Sequence, residues 1–434
     1  MVRLPGESTG GSHAGTTTTA QAGTTSPDEP PSNDEGGVIA AAGQGFGGAT
    51  GGRPSKGGAG GGPAIGIGVP PIDGRCPPNS LKHPDMLCYC QPQTLSACPD
   101  GCGDLQTDPD HCGDCANQCG ATQACNAGIC GPAPKLVTHL GVSCSDTSLA
   151  LAGSRLYYTD SLNGTVASIA TNGKAPLSIA TGQAQPAQIA VSNDTVYWLA
   201  RGTHSVLTVS ASGGVPETVA SDADGINGFT LDEAGTSLYF SSRSFIFKTT
   251  AAPFGSAALV GQEESGYPIV LAISGNRAAT PTDINGDVDV VHLDQNDPAV
   301  CASEGSVVAN HNCVRVSRSQ GSLLFSHIEL IDDQVYWVNG TSIYTSSASK
   351  PSGFSDTVAQ ATSPIANMVT AFTTYGGQVY FADDSGTVYR APLMINANPT
   401  IMARGQGFVG SMVTDGVNLY WINGGCSISS LVVK

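Results

Sequence analysis

The residues best suited by type and spacing to do chemistry in this 434-residue chain lie between positions 283 and 294. Asp283, Asn285, Asp287 and Asp289 alternate, and Asp294 falls at the twelfth position. Oxygen ligands at alternate positions with a closing carboxylate are what Ca²⁺ takes, but Val288 stands where such a loop needs glycine. Asn285-Gly286 is also an ordinary hairpin turn, which is the reading favoured here, and no other cofactor is expected. His204, His292, His311 and His327 are scattered, none beside a cysteine or a serine-nucleophile motif, and read as surface or loop residues. No His-Glu-x-x-His or phosphate loop occurs. Gly405 to Gly410 match a dinucleotide pattern only superficially, because no strand-helix-strand context surrounds them. Asn163, Asn193 and Asn339 stand in Asn-x-Thr sequons, which matter only in a glycosylating host.

The fourteen cysteines are the second chemical feature, even in number and clustered, which points to an oxidising, extracytoplasmic compartment. Ten of them, Cys76, Cys88, Cys90, Cys98, Cys102, Cys112, Cys115, Cys119, Cys125 and Cys130, fall in a module spanning 74–131. Cys112-x-x-Cys115 has a spacing that suits zinc. A structural zinc site wants a second pair at a distance, whereas cysteines here crowd every few residues, so five disulfides are expected. A segment this small lacks a core, and bridges would supply its stability. Cys98-Pro99-Asp100-Gly101-Cys102-Gly103-Asp104-Leu105, with His111-Cys112-Gly113-Asp114-Cys115 and the cysteines up to Cys130, resembles the Stig1-like repeats of secreted proteins. His111 replaces the asparagine usual in them.

The elements that would position any site follow from a phrase of an apolar residue, Tyr and a second aromatic. It recurs as Leu156-Tyr157-Tyr158, Val196-Tyr197-Trp198, Leu238-Tyr239-Phe240, Val335-Tyr336-Trp337, Val379-Tyr380-Phe381 and Leu419-Tyr420-Trp421. The Tyr-to-Tyr intervals are 40, 42, 97, 44 and 40 residues, so the third hides a degenerate copy. Each period reads as four short strands between Gly, Asn and Asp turns, and four strands per 40-odd residues is a propeller blade. The hidden copy is Pro268 to Gly275 followed by Arg277-Ala278-Ala279, which gives seven blades; treating 268–320 as an insertion would give six. Leu156-Tyr157-Tyr158-Thr159-Asp160, with Asn163-Gly164-Thr165 and the Asn172-Gly173 turn, resembles the blades of YWTD-type propellers and their bacterial relatives. That resemblance covers 136–434 and implies a fold, not a set of functional residues.

The chain ends one strand short of a complete last blade, and Lys135 to Leu140 has the pattern of an outer strand. It is expected to pair with the last strand and remove an exposed edge. Of the four remaining cysteines, Cys144 and Cys426 would then meet on one face, and Cys301 would pair with Cys313 inside a stapled insertion of the fourth blade. A Cys144–Cys426 bridge would close nearly the whole domain, worth roughly 5 kcal/mol on the chain-entropy model.

Composition narrows function. Charged residues make up 12% of the chain, glycines number 56, and the net charge of −17 lacks the basic footprint that a nucleic acid or an anionic membrane requires. No stretch approaches the ~20 apolar residues of a membrane span. Residues 1–73 are Gly, Thr, Ser, Pro and Ala with almost no large apolar side chain, and read as a disordered tether of ~45–50 Å reach. Met1 to Gly6 show no export signal, so the expectation is that a signal was removed or that the start lies upstream, where a lipid anchor would sit. The full expectation is an all-β chain: tether 1–73, disulfide module 74–131, and a seven-bladed β-propeller over 135–434. Its ligand rim would carry Asp160, Asn163, Arg201, His204, Arg243, Asp383, Asp384 and Asn423 on one channel mouth. That mixed polar rim suits a secreted or surface-tethered protein that binds an extracellular glycan, peptide, protein or envelope component. The alternative is a propeller lyase or hydrolase, for which His204 with Asp283 or Asp287 is the pairing to test.

Overall fold

Tyr157, Tyr197, Tyr239, Tyr336, Tyr380 and Tyr420 all lie on the second strand of a sheet built on four antiparallel strands, at Arg155–Asp160, Thr195–Ala200, Ser237–Ser242, Gln334–Asn339, Gln378–Asp383 and Asn418–Asn423. The computed structural model describes residues 76–434 except 77–79, 83–86, 91–94, 99–100, 122, 127, 142–146, 252–253, 264–269, 282–286, 294–298, 302–312, 318–326 and 350–354. Seven such sheets follow one another, so the protein is an all-β, seven-bladed propeller. Its only helix among the described residues is the 3₁₀ turn Arg201–Thr203. The degenerate copy is real: Ala272–Ser274, Arg277–Pro281, Val288–His292 and Cys313–Ser317 form blade four without the aromatic phrase. Ala278 and Ala279 there are fully buried, and the facing Trp337 of blade five fills the layer instead.

The phrase recurs because a second strand is covered on both faces by neighbouring blades. Leu156, Val196, Leu238, Val335, Val379 and Leu419 are completely buried, as are the rings of Trp198, Phe381 and Trp421. Among the described residues the buried apolar side chains fall into seven clusters, one at each blade junction, such as Tyr336, Ile343, Phe372 and Phe381 between blades five and six. Burying one such side chain stabilises by about 1.5–3 kcal/mol, so the ring rests on these layers rather than on a central core. Buried tyrosines, Tyr197 and Tyr389 among them, have their phenol pKa values raised, chiefly by desolvation.

Closure follows the expected route. Lys135–His139 pairs antiparallel with Ser427–Val432, in the register Ser427 to His139 and Ser429 to Leu136. Leu140 N donates to Cys426 O at 2.7 Å. Cys426 is disulfide-bonded, while Cys144, the partner expected for it, lies outside the described residues.

Cys301 and Cys313 are joined, as expected, across the connection from the third to the fourth strand of blade four, and the bridge does more than staple that connection. Ala299–Cys301 adds a fifth, parallel strand to blade three, with Gly261 opposite Ala299, while Cys313 begins the outer strand of blade four. The bridge therefore ties two blades together. A three-residue strand earns little pairing energy alone, and the covalent link holds it where blade three would otherwise present an open edge.

Before the propeller stand three two-stranded ribbons: Ser80–Lys82 with Cys88–Cys90, Ser96–Cys98 with Gly101–Gly103, and Gln123–Asn126 with Ile129–Pro132. Five disulfides cross-link them, Cys76–Cys88, Cys90–Cys102, Cys98–Cys115, Cys112–Cys125 and Cys119–Cys130. The sulfurs of Cys112 and Cys115 are thus both consumed, each with a different partner. Asn126 Nδ2 donates to Met402 O at 2.8 Å and joins the last ribbon to blade six.

Candidate functional site

The first strands of the blades surround a cavity of about 560 Å³, lined at their leading ends by all seven blades. Thr147 to Leu149, Ala187 to Ile189, Asn227, Val270 and Leu271, His327 to Glu329, Thr370 to Thr373 and Gly410 to Val413 supply the wall. A first strand starts where the second strand ends, so this mouth carries the second-to-third-strand turns and the blade-to-blade connections. Backbone bonds join the two sets of loops: Gln183 N donates to Gly164 O at 2.9 Å, and Gln406 N to Gly386 O at 3.0 Å.

Much of the polar wall is spent on joining blades. Thr159 Oγ1 donates to Ala187 O at 2.7 Å. Gln188 acts as a substitute peptide group, its Nε2 donating to Phe229 O at 2.6 Å and its Oε1 accepting from Phe229 N at 3.0 Å. Ser411 Oγ accepts from Leu149 N at 3.1 Å across the closing junction. These bonds satisfy backbone groups on inner edges that have no further strand to pair with.

Most of the rim residues expected from the sequence turn out to brace their own turns. Asp160 is buried and accepts from Asn163 N at 3.0 Å and Asn163 Nδ2 at 2.7 Å. Asp383 is fully buried; Tyr389 Oη donates to it at 2.6 Å, with Ser385 N at 3.0 Å and Thr387 N at 3.1 Å. Asp384 accepts from Asn367 N and Nδ2, bonds that lower its carboxyl pKa against the opposing effect of burial. Asn423 Oδ1 accepts from Gly425 N at 3.1 Å and Ser427 N at 3.3 Å. Arg243 is ion-paired with Asp224. Short Asp and Asn side chains at strand ends mimic backbone acceptors, which accounts for their place in these turns.

Arg201 and His204 differ. Arg201 lines the cavity, is exposed, and its guanidinium makes no hydrogen bond or ion pair among the described residues. His204 caps the same turn in the left-handed region (φ 53°), with Nδ1 3.3 Å from Ala223 O. Asp287 meanwhile faces Arg315, whose Nη1 lies 3.1 Å from Asp287 Oδ2 and whose Nε lies 3.0 Å from Asp289 Oδ1. The structure therefore does not bring His204 and Asp287 together, and Asp283 lies outside the described residues, as do Asn285 and Asp294. Asp289 also lies within 4.8 Å of the Cys301 and Cys313 sulfurs, which are bonded to each other and offer no thiolate.

The sequence reading missed the pair that does face the cavity. His327 Nε2 sits 3.4 Å from Glu329 Oε1, Glu329 Oε2 accepts from Thr374 Oγ1 at 2.5 Å, and the imidazole stands edge-on to Phe372 at 4.7 Å. The His327 side chain is 43% exposed, so its ring is both oriented and reachable. A signal existed: nine residues before the repeated Tyr stand Ser148, Gln188, His327 and Ser411, all cavity residues in blades one, two, five and seven. Chemically, the site offers among the described residues the unpaired guanidinium of Arg201, the carboxylate-oriented imidazole of His327, and a ring of hydroxyl and amide groups.

No protein-family model and no curated protein matches the sequence. Among solved structures the chain is similar in fold to a streptogramin B lyase, with TM-score 0.54 and 13% identity over 69% of this chain and 97% of that one. It is also similar to a catalytically inactive His-to-Ala form of virginiamycin B lyase from Staphylococcus aureus with quinupristin. There the TM-score is 0.54 and the identity 14%, over 70% of this chain and 100% of that one. At such identity the likeness is one of fold.

Proposed function

We propose that the chain is an extracytoplasmic binding protein, with residues 1–73 as a tether, 74–131 as a disulfide-bonded module and 135–434 as the propeller that takes an extracellular ligand at its mouth. The observation that carries this reading is the cavity of about 560 Å³ to which all seven blades contribute, large enough for a small ligand or the end of a chain. The disulfide content supports an oxidising compartment, and no helix among the described residues is long and apolar enough to cross a membrane. A lipid anchor upstream, the bacterial YWTD-type kinship and the Stig1-like kinship belong to the same proposal and rest on the sequence motifs alone. With Asp287 and Asp289 both held by Arg315, we assign no calcium to the 283–294 segment.

A lyase is the second reading, favoured by one observation: His327 is oriented by Glu329 within the cavity, as a general base must be. Two of the similar folds are also named as lyases. Against a hydrolase with a covalent intermediate, no Ser, Cys or Thr nucleophile lies within hydrogen-bond reach of His327 among the described residues. The two readings part in one experiment. The full chain is tested on glycan and peptide arrays beside a Thr373→Trp variant, which fills the mouth, and is incubated with quinupristin followed by chromatography. The expected result is array binding that Thr373→Trp abolishes and quinupristin unchanged. Binding that ignores Thr373→Trp moves the site off the mouth. Quinupristin turnover lost in His327→Ala would replace the binding reading with the lyase one.

A further inference from the structure

The mouth is not uniform. Three large apolar side chains are exposed on it: Leu162 at 63%, Ile365 at 72% and Phe408 at 57%. Leu162 lies in the second-to-third-strand turn of blade one, Ile365 in the connection into blade six, and Phe408 in the connection into blade seven. Because blade seven closes onto blade one, blades six, seven and one are consecutive, and the three residues occupy neighbouring sectors of the rim, the Phe408 arc.

Phe408 is also held in place. A Cβ on Gly386 would come 2.4 Å from Gly407 N, and one on Gly424 would come 2.8 Å from Phe408 N, so the backbone of the Phe408 loop packs directly against the turns of blades six and seven. Gly407 itself has φ +66°. Backbone bonds from Gln406 N to Gly386 O and from Gly424 N to Gln406 O lock the loop further. An aromatic ring left in water on a backbone packed this tightly is pre-organised for contact, since little side-chain or loop entropy is lost when a partner covers it.

Arg201 is displayed in the same way on the next blade. Its own N donates to Gln185 O at 3.2 Å and Gly202 N to Ala184 O at 3.1 Å, which clamps the turn against the connection between blades one and two. Its guanidinium is left without a partner among the described residues in a chain whose net charge is −17. Among the described residues the other arginines at this mouth are Arg243, which is ion-paired, and Arg404, whose Nε is buried without a hydrogen-bond partner, so that Arg201 is the one whose unpaired guanidinium is exposed at the cavity. An unpaired guanidinium at a cavity edge is built to take a carboxylate, bidentately.

Resting on the binding reading above, we infer that the ligand is a peptide that presents a carboxylate beside a large apolar side chain, with Arg201 taking the carboxylate and the Phe408 arc taking the side chain. Aliphatic Leu162 and Ile365 beside the aromatic ring favour a peptide over a sugar, whose ring faces stack on aromatics but gain little from branched aliphatics. The carboxylate comes either from a peptide C-terminus or from an Asp or Glu side chain.

The test is fluorescence anisotropy with three labelled peptides on the full chain: Gly-Ser-Gly-Leu-Phe as the free acid, the same peptide as its amide, and an amide with Asp inserted before the Phe. The free acid is expected to bind at least about tenfold more tightly than the plain amide, equivalent to about 1.4 kcal/mol. Arg201→Gln should erase that gap, and Phe408→Ala should weaken all three peptides; neither side chain supports the fold. Binding of the Asp amide like the free acid identifies a side-chain carboxylate, and binding like the plain amide identifies a C-terminus. Equal binding of all three, no binding of any, tighter binding of a lysine-bearing control, or variants that bind as the parent would each overturn the inference. A glycan captured at the mouth with the peptides silent overturns it while leaving the binding reading intact, and quinupristin turnover removes that reading itself.

Discussion

Among the described residues between Cys76 and Pro132 the buried apolar side chains are Cys88, Cys90, Ala97, Cys98, Cys112 and Cys125, five of the six being half of a disulfide. Between Lys135 and Lys434 they are mostly aromatic and aliphatic residues layered at seven junctions, with the Cys301–Cys313 bridge between two of the blades and Cys426 also disulfide-bonded. The first region has cross-links where a core would be, and the second has a core repeated seven times. The difference follows from size: three ribbons cannot remove enough surface from water to offset chain entropy, whereas each blade face is covered by its neighbour. One region should therefore answer to redox conditions and the other to packing.

The largest expected effect is reduction. The module's disulfides close sequence separations of 11 to 17 residues, each worth about 3 kcal/mol on the chain-entropy model, and no apolar core replaces them. Limited proteolysis with mass mapping should show cleavage throughout 76–132 once reductant is present, while the propeller's aromatic near-ultraviolet dichroism persists. Loss of both signals together would break the distinction between the regions.

A substitution in one blade layer comes next. Trp421 is fully buried among Tyr380, Val409, Met412 and Leu431, and its indole nitrogen has no partner, so its worth lies in packing. Trp421→Ala should lower propeller stability by about 3–5 kcal/mol in denaturant titration, with the module's disulfide map unchanged. A cost below about 1 kcal/mol would mean that the layers are not what holds the ring.

The architecture was legible because a blade is a local unit: the Tyr phrase reports burial on two faces, and its period gives the blade count even where Arg277-Ala278-Ala279 replaces it. The closing strand was legible too, since a strand edge left open at Ser427–Val432 demands a partner. The site was less so. Asp160, Asp383, Asp384 and Asn423 look like ligand groups by composition, yet a carboxylate that caps its own turn and one that awaits a ligand have the same sequence signature. His327 was read as a surface or loop residue because the eye-catching phrase marks second strands, while the cavity is made by first strands nine residues earlier. The parallel strand Ala299–Cys301 was not foreseeable from spacing, because its pairing joins blade three to a segment that follows three strands of blade four.

The smallest effect tests whether polar contacts between blades matter beside the apolar layers. Asp333, in the turn between the first and second strands of blade five, accepts from Ser347 Oγ at 2.8 Å and Arg277 Nη1 at 2.6 Å, and also bonds Ser349. The Ser349 hydroxyl first, then Arg277 and Ser347, pull its carboxyl from the ordinary 3.8 down to about 2. Because the folded value lies below the unfolded one, the stabilisation is fully present above pH 3.8 and is lost as the pH falls through about 2. The side chain is 47% exposed, so solvent screens the Arg277 pair and its worth stays under about 1 kcal/mol. Acid unfolding of the parent and of Asp333→Asn should therefore show a small gap at pH 6 that closes between pH 3.8 and 2. Curves that stay parallel down to the lowest pH would mean that the carboxylate's charge contributes nothing, and that Arg277 reaches across from blade four without holding blade five.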